Sequence, residues 1–140
     1  MSEENVDLHR RVFDAFNERD IEALIACVDP HFELHSKLAA VAPAVYHGHD
    51  GLRRWYQDLE DAWEFLRAEP QAYFDLGEQT LAFYVMRARG RQSGLELAQP
   101  IAALVTWRNG RACHWMTYDN RDDALRDLDV SEDALEPIAP

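Results

Sequence analysis

Apolar residues recur every three or four positions through the first half of this chain and every second position after Pro70. That change of period divides the sequence into a helical part and a sheet part. Leu8, Val12 and Ala15 form one stripe, with Val6, Phe13 and Phe16 beside it, which predicts an amphipathic helix over residues 4–17. Asp20 suits the N-cap of a second, shorter helix that turns Ile21, Leu24, Ile25 and Val28 inward, and Asp29-Pro30 ends it. His31 to Ser36 alternates as a short strand, and residues 37–47 read as an apolar loop packed on the rest of the chain. A third helix opens at Gly48 to Gly51, carries Leu52, Tyr56, Leu59, Trp63 and Leu66 on its stripe, and stops at Glu69-Pro70.

Beyond Pro70, Ala72, Phe74 and Leu76 alternate, then Leu81, Phe83 and Val85 in a longer strand running into Arg87-Ala88-Arg89. A turn at Gly90 to Gly94 leads to the longest strand, Leu95 to Trp107, in which Pro100 marks a bulge or an edge. Asn109-Gly110 is the sequence of a type I′ hairpin turn into the last strand, Ala112 to Asp119. Asn120 caps a short helix, Arg121 to Leu128, and residues 129–140 read as a loose acidic tail. The order of elements predicts one α+β domain over residues 1–128, with helices on one face of a strongly bent antiparallel sheet.

The chain has 140 residues, the size of a single domain with a real core. Its apolar fraction of 47% excludes a disordered chain. A net charge of −12 argues against nucleic acid as a partner, because phosphate binding takes a basic surface. The apolar runs are too short to span a bilayer, and the acidic start Met-Ser-Glu-Glu-Asn is no signal peptide, so a cytoplasmic protein is expected. Cys27 and Cys113 then read as free thiols.

The segments Phe13-x-x-Phe16-Asn17-x-x-Asp20-x-x-Ala23-Leu24, Asp29-Pro30-x-Phe32-Glu33-x-His35 and Tyr46-x-Gly48-x-x-Gly51-Leu52-Arg53 follow one another in order. Arg87-x-Arg89-Gly90-x-x-Ser93-Gly94, Pro100-Ile101-Ala102, Gly110-Arg111 and Tyr118-x-Asn120-x-x-x-Ala124-Leu125 follow later. Together they resemble the SnoaL-like branch of the nuclear transport factor 2-like superfamily. The resemblance implies a cone-shaped fold, a curved sheet wrapped over three N-terminal helices, with a pocket opening into the cone and frequent dimerisation through the sheet. It does not imply one activity, since the superfamily holds ketosteroid isomerases, limonene-epoxide hydrolases, polyketide cyclases and non-catalytic members.

Isomerase and cyclase chemistry need a carboxylate whose pKa an apolar cone raises. Where ketosteroid isomerases carry a base at the end of the first strand, this chain reads His35-Ser36-Lys37. Where the epoxide hydrolases carry an Asp two residues after a Trp, it reads Trp115-Met116-Thr117. Neither acid can be carried over. His35 remains as a candidate general base, because an imidazole titrates near neutral pH; the alternative is a histidine bonded to the backbone. Asp119 is either a carboxylate at the pocket mouth or support for the cap of the last helix. Phe16, Tyr46, Tyr56, Trp63, Leu104, Trp115 and Thr117 are expected to line or cover the cone, and Arg87 to polarise an oxygen or bind an anion; ordinary packing and a solvated strand end are the competing readings.

No metal site is expected. His31 and His35 are about 13 Å apart along a strand, and no third ligand stands beside His47-Gly48-His49 by sequence. No phosphate loop, nucleophile elbow or Cys-x-x-Cys is present, so no cofactor is expected either. The expectation is a cone that binds an apolar small molecule without catalysing a reaction; the alternative is a cofactor-free isomerase, cyclase-like or epoxide-hydrolase-like enzyme acting on an apolar ring compound. A homodimer is expected as well, because Ile101, Ala103 and Val105 on one face of the long strand and Ala102, Leu104 and Thr106 on the other both need cover.

Overall fold

Asp20 accepts a hydrogen bond from Ala23 N and starts the helix Ile21–Ala26 (α2), so the helix Glu3–Asn17 (α1) and α2 meet at a capped corner. The computed structural model describes residues 3–36 and 44–140. After α2 come the strands Val28–Ser36 (β1) and Ala44–His47 (β2), the helix Gly48–Ala62 (α3), and the strands Trp63–Asp75 (β3), Gln79–Gly90 (β4), Glu96–Arg108 (β5) and Arg111–Tyr118 (β6). The helix Arg121–Leu128 (α4), capped by Asn120 from its side chain to Asp123 N, and a single turn at Glu132–Ala134 follow. The strands form one curved, unclosed sheet in the order β2-β1-β6-β5-β4-β3. Among the described residues only β1 and β6 pair in parallel; the other neighbours are antiparallel. The α+β architecture expected from the period change is therefore what the chain adopts.

The expected loop over residues 37–47 divides. Residues 37–43 lie outside the described residues, while 44–47 form β2 and pair with β1. Gly48 then turns the chain into α3 at φ +68, with a would-be Cβ 3.0 Å from Pro30 O, so only glycine fits that corner.

The third helix is shorter than its stripe suggests. It ends at Ala62, and Trp63, Leu66 and Pro70 belong to β3. Strand β4 runs to Gly90, and residues from Trp63 to Pro70 pair with Tyr84 to Gly90. That ladder outweighs helical spacing. Arg91 closes the helix from outside: its guanidinium donates to Glu60 O at 2.8 and 3.1 Å and to Trp63 O at 3.2 Å. Pro70 is tolerated because β3 is an edge strand and its ladder shifts register between Pro70 and Ala72. Pro100 also lies where pairing is one-sided: β5 meets β4 there, and β6 only from Ala102 onward.

Two apolar layers result. The inner one joins α1 and α3 to the inner sheet face through Phe13, Phe16, Trp55, Tyr84, Met86 and Trp115. The outer one lies on the other face, where Phe74, Leu81, Phe83, Leu104 and Tyr118 pack under Ala124 and Leu125 of α4. The chain thus covers with its own C-terminal helix the face of β5 that sequence reasoning gave to a second copy. Nor is the tail loose. Ile138 exchanges backbone hydrogen bonds of 2.9 and 2.7 Å with Tyr73 on β3, and Ala139 O accepts from Arg10 at 2.7 Å.

Candidate functional site

The inner layer is where helices and sheet converge. Helix α1 contributes Phe13 and Phe16, α3 contributes Trp55 and Tyr56, and the sheet adds Ala68, Tyr84, Met86 and Trp115. The rings interlock: Phe13 and Tyr84 are 4.8 Å apart between centroids, Trp55 and Trp115 5.4 Å, and Phe16 and Trp55 5.8 Å. They leave a space of about 10 Å³, room for one water at most. A second space of the same size shares Phe16 as a wall and reaches the surface between Tyr56, Trp63 and Leu66, beside an exposed Arg19–Glu60 pair at 3.3 Å. Burial raises the Tyr56 phenol above its usual range.

Three buried tryptophans differ in their polar ends. Trp55 Nε1 donates to Ser36 Oγ at 2.8 Å, and Trp107 Nε1 donates to Thr80 Oγ1 at 2.8 Å. Trp115 Nε1 is buried and has no hydrogen-bond partner among the described residues. It stands on the wall of the interior space as an unused donor in apolar surroundings. Among the described residues no Asp or Glu is buried, so no carboxylate is held in this interior.

Four of the expected lining residues come together there: Phe16 and Trp115 around the inner space, Phe16 with Tyr56 and Trp63 around the outer one. Thr117 is buried on the same sheet face as Trp115, and its hydroxyl donates to His35 O at 3.4 Å. Tyr46, on β2, packs against α3 and donates to Asp58 Oδ2 at 2.7 Å; burial and that carboxylate push its phenol up to about 12.

The others lie elsewhere. The parallel register sets Leu34 beside Trp115 and His35 beside Met116, so alternation puts His35 on the outer face and Trp115 on the inner one. His35 and Trp115 therefore do not share the cavity expected for them. His35 Nε2 instead lies 2.5 Å from Glu33 Oε1, and this contact, with the nearby His47 and His114, holds the Glu33 carboxyl below the usual range. Leu104 belongs to the outer layer under α4. Arg87, exposed on β4, pairs with Glu69 at 2.7 Å. Asp119 is exposed, and the cap of α4 is Asn120.

The fully buried histidine is His9, not one of those weighed for chemistry. Its Nδ1 is 2.7 Å from Thr80 Oγ1, which accepts from Trp107. The Thr80 hydroxyl thus bridges the His9 imidazole and the Trp107 indole. Burial lowers the His9 pKa to about 3. Its position was legible: three residues after Val6 and four before Phe13, it falls on the apolar stripe of α1.

Comparisons agree with this architecture. The family model described as SnoaL-like domain matches residues 9–115. An NTF2-like protein of unknown function from Burkholderia pseudomallei superposes with a TM-score of 0.77 at 18% identity, covering 88% of this chain and 95% of that one. TerC, co-crystallized with polyporic acid, gives 0.75 at 17% identity, with 89% and 97% covered. A protein of ketosteroid isomerase-like fold from Catenulispora acidiphila, in complex with trimethylamine, gives 0.72 at 13% identity, with 90% and 95% covered. The comparison with curated proteins finds no match. At these identities the structural likeness establishes the fold.

Proposed function

Since the chain belongs to the SnoaL-like domain family, we propose that it binds a small, largely apolar, ring-containing molecule in its aromatic interior and does so without catalysis. The observation that carries this reading is the buried, unpartnered Trp115 Nε1 between Phe16, Trp55 and Met86. An unsatisfied buried donor costs about 1–3 kcal/mol, and a ligand carbonyl or hydroxyl oxygen beside it would remove that cost. The walls around the donor are apolar, as in ligand sites where one polar group fixes orientation.

The ligand does not enter a ready cavity. The space present is about 10 Å³, so uptake requires Tyr56, Trp63 and Leu66 at the outer space to move aside. The non-catalytic part of the reading rests on the lack of a buried carboxylate among the described residues and on His35 facing away. Titrating the protein with 2-naphthol, a neutral ring with one hydroxyl, while following tryptophan fluorescence tests the proposal. Saturable quenching is expected, weakened about 2–10-fold in Trp115→Phe, the value of one hydrogen bond. No saturable quenching, or identical affinity in Trp115→Phe, overturns it.

A further inference from the structure

Three adjacent strands set a row of ligating side chains on the outer face of the sheet. Glu33, on β1, pairs directly with His47 on β2 and with His114 on β6. His35 lies two residues along β1 from Glu33 and therefore on the same face. Neighbouring strands are about 4.8 Å apart, so directly paired residues bring long side chains within ligand distance of one ion.

The side chains converge accordingly. His35 Nε2 is 2.5 Å from Glu33 Oε1, and His114 Nε2 is 3.8 Å from the same oxygen. One ligand atom from each of Glu33, His35 and His114 falls within 4.8 Å of the others. His47 Nδ1 stands 3.7 Å from the second carboxylate oxygen, Glu33 Oε2. The His35 and His114 rings are 4.9 Å apart between centroids. All four side chains are partly or largely exposed, so an ion has a path to them.

We propose that Glu33, His35 and His114 form a binding site for a zinc-type divalent cation on the outer face of the sheet, with His47 beside its open position. Two imidazoles and one carboxylate are the donor set that borderline cations such as Zn²⁺ and Co²⁺ prefer over Mg²⁺ or Ca²⁺. A tetrahedral ion at about 2.0–2.1 Å from each ligand needs ligand atoms about 3.4 Å apart. The Glu33–His114 separation of 3.8 Å is already close to that, and the Glu33–His35 contact opens from 2.5 Å by side-chain rotation alone. The strands beneath are fixed by the ladder, so the rearrangement is confined to rotamers. The ion would replace the hydrogen bond that now links His35 to Glu33. The site is on the opposite face from Trp115 and stands or falls independently of the interior reading.

The test uses the untagged full chain, stripped with EDTA, dialysed and titrated with CoCl₂ under visible absorption, then with ZnCl₂ by calorimetry. One Co²⁺ per chain is expected, with ligand-field bands displaced by Zn²⁺. His35→Ala, His114→Ala and Glu33→Gln should each weaken binding by more than about 100-fold, whereas His47→Ala should cost about 10-fold, the lower end of the range for an outer partner. His31→Ala, on the same face but outside the cluster, should leave affinity unchanged. A second readout needs no variant: Zn²⁺ should shift the imidazole resonances of His35 and His114 and leave those of His31 in place. No saturable Co²⁺ binding below about 1 mM overturns the proposal. So does binding that survives the folded His35→Ala, His114→Ala double variant, or a Zn²⁺ shift confined to other histidines.

Discussion

His9 Nδ1 and Thr80 Oγ1 meet at 2.7 Å inside the core, joining the first helix to the fourth strand across 71 residues of sequence. The imidazole stacks on Phe13 at 5.2 Å and meets the Tyr73 and Trp107 rings edge-on, so burial among these rings penalises a charge on it. That environment makes His9 a stability determinant with a definite pH dependence.

Its pKa is about 3 in the folded chain and 6.5 when unfolded. Between those values the unfolded chain binds the proton and the folded chain does not, so stability rises with pH across the window and is lost as pH falls. The full effect, reached at about pH 3, is roughly 5 kcal/mol, from about 1.4 kcal/mol for each pH unit between the two values. Urea unfolding at pH 7 and pH 5, above the carboxylate range, should show wild type losing about 2 kcal/mol more than His9→Gln over that interval. The partly buried His114, whose pKa burial also lowers, acts in the same direction and is common to both proteins. Equal losses in the two would refute the assignment.

The three buried tryptophans should respond unequally to Phe. Trp55→Phe and Trp107→Phe each remove an indole hydrogen bond, to Ser36 Oγ and to Thr80 Oγ1, while Trp115→Phe removes a donor that has no partner among the described residues. The loss of ring volume is common to all three. Unfolding free energies should therefore place Trp115→Phe as the mildest, by about 1–3 kcal/mol. If Trp115→Phe is as costly as the others, its indole nitrogen is satisfied in solution.

Asn17 makes two hydrogen bonds to one residue of β3: Nδ2 donates to Ala68 O at 2.8 Å and Oδ1 accepts from Ala68 N at 2.9 Å. Its side-chain amide takes the place of a neighbouring strand. Asn17→Ala should cost about 1–3 kcal/mol and speed hydrogen exchange at the Ala68 amide. An unchanged Ala68 exchange rate would rule out this role.

Removing α4 should change how the chain behaves toward its own copies. Truncation after Asp119 uncovers Phe83, Leu104 and Tyr118. Apolar patches of that kind drive association. Light scattering on the truncated chain should give a larger mass than on the full chain at equal concentration. The same mass for both would mean that α4 is not a needed cover.

The elements written locally in the sequence were legible. Asp20 and Asn120 cap where short polar side chains precede apolar periods, and Asn109 and Gly110 both take positive φ, 53 and 76, as the hairpin turn demands. What depended on distant partners was not. The stripe from Leu52 to Leu66 has helical spacing, yet the ladder of β4 claims its last third. Leu104 and His35 sit in strands whose alternation is evident, but which face is inner follows from how β1 meets β6, a parallel pairing with no local signal. The same pairing assembles Glu33, His35 and His114, which sequence spacing could not bring together. The stripe of α1 places His9 in the core, but the partners that receive it, Thr80 and Trp107, come from distant strands and have no local signal.

The outer margin of β3 is occupied at Ala68 by the Asn17 amide and at Tyr73 by Ile138, with Pro70, which has no N–H, between them. The opposite margin, β2, is four residues long among the described residues. A sheet finished at one border and brief at the other gives a stray extended segment little template to copy. The backbone exchange between Ile138 and Tyr73 thereby acts as a selvedge, occupying donors and acceptors of β3 that a bare strand edge would leave open to pairing.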